Sequence, residues 1–332
     1  MHRRVLIDAT AYGDAPSGAR RRAEALAGRL AARLPDHAVE MWWAADATSP
    51  ASPLGVGPVV HRTAPVSHRG GAQRLVAVAS RWRAEHRRGP LAALLVDHGP
   101  VPRLEGARVV VSVHDARMHS RFAPPWRRAY ARLVWGRALR RAAAVVAVSA
   151  SLADELARRH RLDPDVLHVV PGAVDDVFTP PGARSPREGL LVVDRDEPRK
   201  ARGAARVAAR DAGQPLRVVD DARDEALCAA YRGAAWLLAP SLLEGFHLPV
   251  VEALACGTPV VASDIGAHRD LVAAGAQGLV LVPAPRRRGG SWTWPGAAER
   301  LRKPPPADVA PPPFTWDDAA ERLGGALREL CT

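Results

Sequence analysis

Short apolar runs alternate with segments of helical periodicity along most of this chain, and that alternation limits the fold more than any other feature. Val5–Ile7 and Ala142–Val148 are runs of this kind, and continuous apolar runs are typical of strands buried on both faces. Apolar residues at helical spacing fill the intervals. We therefore predict parallel sheets covered by helices on both sides, and 332 residues suffice for two such domains.

A Pro- and Gly-rich stretch divides the chain. It spans residues 171–186 and is interpreted as a linker, because Pro and Gly interrupt regular structure. Residues 1–170 then form an N-terminal Rossmann-like domain, and a strand at 189–193 opens a second domain. Residues 45–70 are predicted to be rich in turns, and the Pro- and Arg-rich residues 283–313 are predicted to contain little regular structure.

The net charge of +12 raises the question of an anionic partner, and of the 47 lysines and arginines only Lys200 and Lys303 are lysines. The arginines are spread over every predicted helix without interleaved aromatic residues, a pattern that argues against nucleic-acid binding. We therefore expect no nucleic-acid partner. Attraction to anionic lipid headgroups or to phosphorylated substrates stays open.

The cysteines and the apolar runs bear on the compartment. Cys228, Cys256 and Cys331 are odd in number and far apart in the sequence, which argues against a disulfide framework or a zinc cluster. The apolar run at Val5–Ile7 ends at Asp8, too soon for a signal peptide. No apolar run approaches the roughly 18 residues of a membrane span. We therefore expect a cytoplasmic protein with reduced thiols.

Two glutamates follow a strand in the second half of the chain. Glu244 lies in the loop after the strand at 235–239, and Glu252 is predicted in the first turn of a helix at 249–255. Ligands of open parallel sheets bind beyond the carboxyl ends of the strands, so both carboxylates are expected at one edge, where they can accept hydrogen bonds from hydroxyls. Taken alone, a solvated loop residue and a charge near a helix start remain the alternatives.

The surrounding motif decides between these alternatives. Residues 240–263 read PSLLEGFHLPVVEALACGTPVVAS, and they strongly resemble the signature of the retaining family 4 glycosyltransferases, in which two glutamates also stand eight residues apart. The match is longer and more specific than a short motif. The resemblance implies the GT-B fold, an α/β architecture in which two Rossmann-like parallel-sheet domains face each other across a cleft.

The resemblance also implies an activity and a set of donor-site residues. A hexose, mannose being one candidate, passes from a nucleoside diphosphate sugar to an acceptor hydroxyl with retention. Glu244 contacts the donor sugar near the reacting carbon as a catalytic residue, and Glu252 holds the ribose. The backbone amides implied to bind the sugar hydroxyls are those of Gly245, Phe246, His247 and Leu248.

Arg195 and Lys200 follow the first strand of the second domain with a five-residue offset. The family has an arginine and a lysine at that offset to hold the donor diphosphate, and two fixed cations stabilise charge on a leaving pyrophosphate. A solvated turn is the alternative. Asp194 stands where the family has glycine, so its charge should weaken the site unless it pairs with an arginine. We expect no metal and no cofactor, because cations and helix N-termini supply the positive charge.

Two residues of the first domain complete the implied donor site. His114 follows the strand at 109–113, and the resemblance implies that this catalytic histidine meets the donor sugar; a structural histidine is the alternative. Gly18 resembles the glycine of a loop that approaches the phosphates, which the lack of a Cβ allows. The next residues are Ala19 and Arg20, where the family usually has a second glycine, so Arg20 either crowds the phosphates or contacts them.

The second domain departs from the family in length. The resemblance places it at 187–313 and a terminal helix, which in the family crosses back to the first domain, at 314–332. After a strand at 216–219 the chain lacks a piece on the order of 25 residues, a βαβ-sized unit, whose loops usually help to hold the nucleotide base. The alternative function is therefore a catalytically silent member that scaffolds another transferase. Asp220–Asp221 is interpreted as a solvated turn.

The acceptor is not specified by the sequence. A saccharide, a lipid-linked glycan and a small molecule all remain open. The run Arg20–Arg22 is either a basic face for an anionic lipid-linked acceptor, with peripheral contact to the inner face of the membrane, or a solvated helix surface. An epimerase or a phosphorylase of the same fold is the competing enzyme class, and the two glutamates argue against an epimerase.

Overall fold

The computed structural model of the protein describes residues 3–15, 17–48, 57–69, 71–96, 104–182, 186–220 and 222–331. Asp221, predicted as half of an acidic turn, lies outside these residues. The chain divides into two units. Unit 1 comprises Met1–Gly172 and Trp316–Thr332, and unit 2 comprises Ala173–Thr315.

The core of unit 1 is a sheet in which all paired strands of the described residues run parallel. Its strands are β1 (Arg3–Asp8), β2 (His37–Ala44), β3 (Val59–Ala64), β4 (Leu91–Val96), β5 (Arg108–Val113), β6 (Ala144–Ala147) and β7 (Leu167–Val169). Their order across the sheet is β3-β2-β1-β4-β5-β6-β7. All four residues of β6 are buried, which confirms the predicted parallel α/β architecture for this half of the chain.

Helices connect the strands of unit 1. They are α1 (Gly18–Arg33), α2 (Gly71–Arg88), α3 (Pro125–Tyr130), α4 (Gly136–Leu139) and α5 (Ala150–His160). The hydroxyl of Ser17 caps α1 by accepting from the amide of Arg20 at 3.2 Å. In the sheet and helices together, the indole rings of Trp43 and Trp82 are among the largest fully buried side chains.

Residues 45–70, predicted to be rich in turns, also contain β3. β3 is the edge strand of the sheet, and most of its residues are exposed or half-buried. An edge strand covered on one side only does not need a continuous apolar run. The sequence VVHRTA therefore lacks the signal that marked the central strands.

The helical segment at residues 125–139 is not uniform. A π-helical turn at Ala131–Trp135 separates α3 from α4. It leaves Trp135 in the core at 3% exposure and Leu133 on the surface at 58% exposure. The π turn thus presents an apolar side chain to solvent in the middle of a helical segment.

Unit 2 holds a second parallel sheet. Its strands are β8 (Leu190–Val193), β9 (Leu216–Val219), β10 (Trp236–Ala239), β11 (Val260–Ser263) and β12 (Leu279–Val282). Their order is β12-β11-β10-β8-β9, with β9 at the edge. The connecting helices are α6 (Arg202–Ala212), α7 (Asp224–Gly233), α8 (Leu248–Ala255) and α9 (Gly266–Ala273). The second parallel α/β domain is thus confirmed.

Residues 283–313 contain more regular structure than predicted. They form an antiparallel hairpin of β13 (Arg286–Arg288) and β14 (Ser291–Thr293), followed by α10 (Ala297–Arg302). Trp294 and Leu301 are 5% and 2% exposed and pack in the core of unit 2 beside Leu190 and Trp236. These apolar anchors order a segment whose Pro and Arg content predicts irregular structure.

The last helix, α11 (Trp316–Cys331), belongs to unit 1. Leu327 is fully buried there. Arg33 of α1 donates to Asp317 at 2.9 Å and to Glu321 at 3.1 Å, so ion pairs join α11 to α1. Within the described residues, no helix is both long and apolar enough to cross a membrane.

Two of the cysteines lie together, although they are far apart in the sequence. The Sγ atoms of Cys228 and Cys256 are 3.5 Å apart inside unit 2, and both thiols are free. Cys228 is on α7 and Cys256 directly follows α8. The packing of α7 against α8 thus brings two free thiols into contact.

Candidate functional site

Two loops of unit 2 meet at the carboxyl ends of β8 and β10. These strands are parallel neighbours in the sheet, so the loops that follow them leave the same edge. The first loop contains a 3-10 turn at Pro198–Lys200, and the second leads from residue 240 to α8. The amide of Leu242 donates to the carbonyl of Arg199 at 2.7 Å and joins the two loops.

A nearly buried ion cluster lies at this edge. Lys200 Nζ is 2.8 Å from Glu244 Oε1, and Arg199 Nη1 donates to Glu244 Oε2 at 3.0 Å. The three side chains, here called the Glu244 cluster, are 9–11% exposed. Burial alone raises the pKa of the Glu244 carboxyl, but the charges of Lys200 and Arg199 outweigh it and hold this pKa well below its ordinary value. Glu244 is therefore ionised at neutral pH.

Arg199 is the member of the Glu244 cluster that the sequence did not single out. Besides Glu244, it binds the Glu197 carboxylate through Nε at 2.8 Å and the Leu243 carbonyl through Nη1 at 3.1 Å. It thereby fixes the position of the Glu244 loop. Its place next to Lys200 was a usable signal, but arginine is so abundant in this chain that one more arginine carries little information.

The two cations that the sequence placed together lie on one loop and differ in burial. Lys200 is buried in the Glu244 cluster. Arg195 lies on the same loop, between β8 and the 3-10 turn, and is exposed. The two residues thus leave the same sheet edge, and Lys200 lies 2.8 Å from Glu244.

Asp194 pairs with an arginine. This is the pairing that the sequence analysis required if the charge of Asp194 is not to weaken a diphosphate site. Arg202 Nε donates to Asp194 Oδ1 at 2.8 Å, and the same guanidinium binds Asp220. Burial raises the pKa of the Asp194 carboxyl, although Arg202 opposes this shift. Asp220, interpreted as solvated, is 52% exposed and also pairs with Arg202. Within the described residues, no group of three or more His, Cys, Asp or Glu side chains is arranged to hold a metal ion.

Glu252 lies deeper in the helix than predicted. α8 begins at Leu248, so Glu252 is its fifth residue and lies in the second turn rather than the first. Its side chain is buried, and the Tyr231 hydroxyl donates to Glu252 Oε2 at 2.9 Å. Tyr231 comes from α7, so two helices fix this carboxylate.

The segment between the two glutamates is buried at Gly245, Phe246 and His247. The ring of Phe246 packs 5.9 Å from that of Phe314. His247 has φ 78° and directly precedes α8. Leu248, the last of the predicted amide donors, is the first residue of α8. The predicted donor-binding amides thus lie on the turn into α8, next to the Glu244 cluster.

His114 and Gly18 lie in unit 1. His114 follows β5 and is half-buried. The adjacent Asp115 accepts from the amide of Arg117 at 2.9 Å. Gly18 is the first residue of α1 and is exposed. Their contacts with a donor stay predictions.

The Arg20 side chain is held by hydrogen bonds within unit 1. Its guanidinium binds Glu24 at 2.7 Å, the Gly13 carbonyl at 2.6 Å and the Thr48 carbonyl at 2.8 Å. The side chain is only 13% exposed. The Arg20 guanidinium therefore holds the loop, and its effect on phosphates stays a prediction.

The run Arg20–Arg22 does not form the basic face that its sequence suggests. Arg22 is 4% exposed and donates to the Pro171 carbonyl at 2.9 Å. Burial lowers its pKa to about 10. Since Arg20 is nearly buried as well, neither side chain offers a surface to a lipid or to another large partner.

Two family profiles match the chain. Residues 16–178 match Glycosyltransferase Family 4, and residues 188–288 match Glycosyl transferases group 1. The second match contains the whole Glu244 cluster and Glu252. The two matches together cover most of both units.

Curated relatives align with part of the chain. The D-inositol 3-phosphate glycosyltransferase of Rhodococcus erythropolis is 30% identical over 54% of this chain and 53% of its own length. The MMP alpha-(1->4)-mannosyltransferase of Mycolicibacterium hassiacum is 28% identical over 50% of this chain and 51% of its own length. The chain thus spans about half the length of these relatives.

Solved structures resemble the chain over nearly its whole length. Sucrose-phosphate synthase from Thermosynechococcus elongatus gives a TM-score of 0.70 at 17% identity, covering 99% of this chain and 94% of that one. HepE of Anabaena, solved with UDP and glucose, gives 0.60 at 13% identity, covering 99% and 95%. At these identities the likeness concerns the fold.

Proposed function

The chain belongs to the family 4 glycosyltransferases and has their GT-B fold, and we propose that it is an enzyme that moves a hexose from a nucleoside diphosphate sugar to an acceptor hydroxyl with retention. The observation that carries this proposal is the ionised Glu244 carboxylate, held by Lys200 and Arg199 at the carboxyl ends of β8 and β10. Ligands of parallel sheets bind at such ends.

In this proposal Lys200 and Arg195 neutralise the diphosphate. A cation fixed near the leaving oxygen stabilises the negative charge that develops there, without a metal ion. Lys200 suits this role because it is buried and held at 2.8 Å from Glu244. The exposed Arg195 lies on the same loop and adds a second charge.

Glu244 is proposed to act on the sugar. Its carboxylate accepts hydrogen bonds from sugar hydroxyls and stabilises the positive charge that develops at the anomeric carbon. The bond from that carbon to the diphosphate oxygen breaks, and the oxygen keeps the electron pair. The acceptor oxygen bonds to the carbon on the same face and passes its proton to the leaving phosphate. Arg199 holds the Glu244 carboxylate in place during these steps.

Glu252 is proposed to bind the ribose hydroxyls. A buried carboxylate retains a strong capacity to accept hydrogen bonds. Tyr231 holds one of its oxygens at 2.9 Å and so orients the group. UDP- and GDP-sugars are the donors to test first, since HepE was solved with UDP and glucose and one relative is a mannosyltransferase by name.

An anionic membrane surface is the partner proposed for unit 1, at a different place from the one the sequence suggested. Six large hydrophobic side chains are exposed among the described residues. Three of them lie within nine positions on α3 and the π turn: Trp126, Leu133 and Val134, at 65%, 58% and 39% exposure. Exposed apolar side chains that cluster in this way mark an interaction surface.

Basic residues are frequent in the sequence on both sides of these three side chains. No acidic residue occurs between Asp115 and Asp154. The arginines of residues 116–141, here called the basic segment, are Arg117, Arg121, Arg127, Arg128, Arg132, Arg137, Arg140 and Arg141. Arginines beside Trp and Leu are typical of helices that lie in a membrane interface, and each contributes about 1 kcal/mol near anionic lipid. The charge therefore favours an anionic lipid surface as the occupant.

Replacing each of the two lysines tests the proposed enzyme. Lys200→Ala removes the cation of the site, whereas Lys303→Ala removes an exposed lysine that pairs with Glu299. We expect UDP or GDP to raise the melting temperature of the wild type and of the Lys303 variant. The Lys200 variant should bind the nucleotide at least about tenfold more weakly, since a charged hydrogen bond is worth about 1.5–3 kcal/mol. Equal nucleotide binding by both variants would show that Lys200 does not contact the nucleotide.

A further inference from the structure

The backbone at His247 is unusual for a histidine. Among the described residues, three non-glycine residues have a positive φ: Arg161, Ala201 and His247. Two of them flank the Glu244 cluster, because Ala201 directly follows Lys200 and His247 lies three residues after Glu244. Glycine reaches this region without the Cβ clash that other residues suffer. A large side chain at this position is retained against the backbone preference.

A chain of hydrogen bonds fixes the protonation of the His247 ring. His268 Nδ1 lies 2.7 Å from the Ser263 carbonyl, which can only accept, so His268 Nδ1 carries a proton. In the neutral ring the other nitrogen, Nε2, is then an acceptor. It lies 2.8 Å from His247 Nδ1, which must therefore donate. The remaining nitrogen of a neutral His247, Nε2, has a free electron pair.

Both rings are kept neutral by their surroundings. Burial lowers the pKa of His247 well below its ordinary value, and it also lowers the pKa of His268. His247 Nε2 lies 4.0 Å from Glu244 Oε1. Two acceptors at this distance do not bond to each other, and neither has a proton to give. The pair therefore suits a ligand that brings two donors of its own, such as neighbouring hydroxyl groups.

We propose that His247 is a specificity-determining residue, whose Nε2 accepts a hydrogen bond from a hydroxyl of the donor sugar beside the one that Glu244 binds. This inference rests on the proposed function. It names the donor class as a hexose with two free neighbouring hydroxyls. A sugar that lacks one of them leaves a buried acceptor unpaired, which disfavours it.

Two glycine substitutions separate this role from a structural one. His247→Gly removes the imidazole at a backbone position that glycine prefers, so the turn into α8 should survive. Ala201→Gly is the matched control, because it places glycine at the other left-handed position beside the cluster and removes no polar group. Calorimetry should compare UDP with UDP-glucose and GDP with GDP-mannose.

For the wild type and Ala201→Gly we expect binding of one nucleotide and of its sugar conjugate. For His247→Gly the sugar conjugate should bind about tenfold more weakly, the range of one hydrogen bond, while the nucleotide alone binds as before. The variant should also lose discrimination against one deoxy analogue of the sugar. If both ligands weaken equally, or neither does, His247 does not contact the sugar. If the wild type binds none of the four ligands, the proposed function fails and this inference with it.

Discussion

The sheet edge of unit 2 and the basic segment of unit 1 treat their charged side chains in different ways. In unit 2 the cations at the sheet edge are matched by nearly buried carboxylates, as in Lys200 with Glu244 and Arg202 with Asp194. In unit 1 the basic segment carries arginines and an exposed Trp126, and its sequence contains no acidic residue. The first arrangement offers a few charges in fixed positions, and the second offers many charges over a broad surface.

The free-energy cost of burying or exposing these charges indicates which kind of ligand each arrangement suits. Burying an ion pair costs several kcal/mol of hydration per ion, and the attraction between the ions offsets this only in part. A chain that keeps such a pair gains fixed electrostatics for a small ligand. Exposed arginines cost little to maintain, and they suit a partner whose charges are spread out, such as a lipid surface.

The largest expected effect is at Glu244. Glu244→Gln keeps the shape but removes the charge, so the transition state loses its stabilisation, and we expect the rate of transfer at saturating donor to fall by about 10²–10³-fold. Glu299→Gln is the control, because Glu299 is 71% exposed in unit 2. Initial rates of both variants check this. A Glu244 variant within about threefold of the wild type would contradict the catalytic role.

The sequence predicts those site residues whose position depends on the strand that they follow. It does not predict those whose position depends on packing between distant elements. The strands around it are marked by apolar runs and the loops by their place after those strands. Glu244 and Lys200 were therefore expected at one edge, and the structure brings them to 2.8 Å. Arg199 and Tyr231 were not found, because the choice of partner is made by packing between elements that are distant in the sequence.

Two further features that the sequence did not predict have the same physical origin. The contact of Cys228 with Cys256 depends on how α7 packs against α8, and the burial of Arg22 depends on a carbonyl acceptor at Pro171. The local sequence pattern shows neither the contact between the thiols nor the burial of Arg22. The edge strand β3 was not recognised from the sequence for another reason. Half-exposed strands do not need the continuous apolar run that marks central strands.

The next effect in size concerns the basic segment. Replacing Trp126 and Leu133 together by Ser removes apolar area that a membrane would bury, at about 1.5–3 kcal/mol for a large side chain, so binding to phosphatidylglycerol vesicles should weaken at least about tenfold. Val272→Ser is the control, because Val272 is 42% exposed in unit 2. Co-sedimentation with vesicles measures both variants.

Lipid charge gives the complementary test. Vesicles of phosphatidylcholine alone should bind the wild type more weakly than phosphatidylglycerol vesicles, and added salt should weaken the latter binding. Failure of the wild type to bind anionic vesicles would contradict the membrane proposal, and so would equal binding by the double variant. Formation of a dimer through this surface would point to a second copy of the chain instead.

A smaller effect is expected from acid. Burial, together with the nearby His160, lowers the pKa of His119 in unit 1 to about 4, whereas an unfolded histidine titrates near 6.5. Between these values the unfolded chain binds a proton that the folded chain does not, so the free energy of unfolding falls as the pH drops from about 6.5 to 4. His119→Asn should make the loss of melting temperature between pH 7 and pH 5 smaller. An unchanged loss would show that His119 does not cause it.

The stereochemistry of turnover tests whether Glu244 supports sugar transfer with retention. The wild type and the Glu244→Gln variant are incubated with UDP-glucose and with GDP-mannose, and the anomeric configuration of the first product is read by proton NMR. The wild type should convert an α-linked donor into an α-linked product or α-sugar, and the variant should form it at least about a hundredfold more slowly. A β-configured first product, or equal rates for the two proteins, would contradict this role of Glu244.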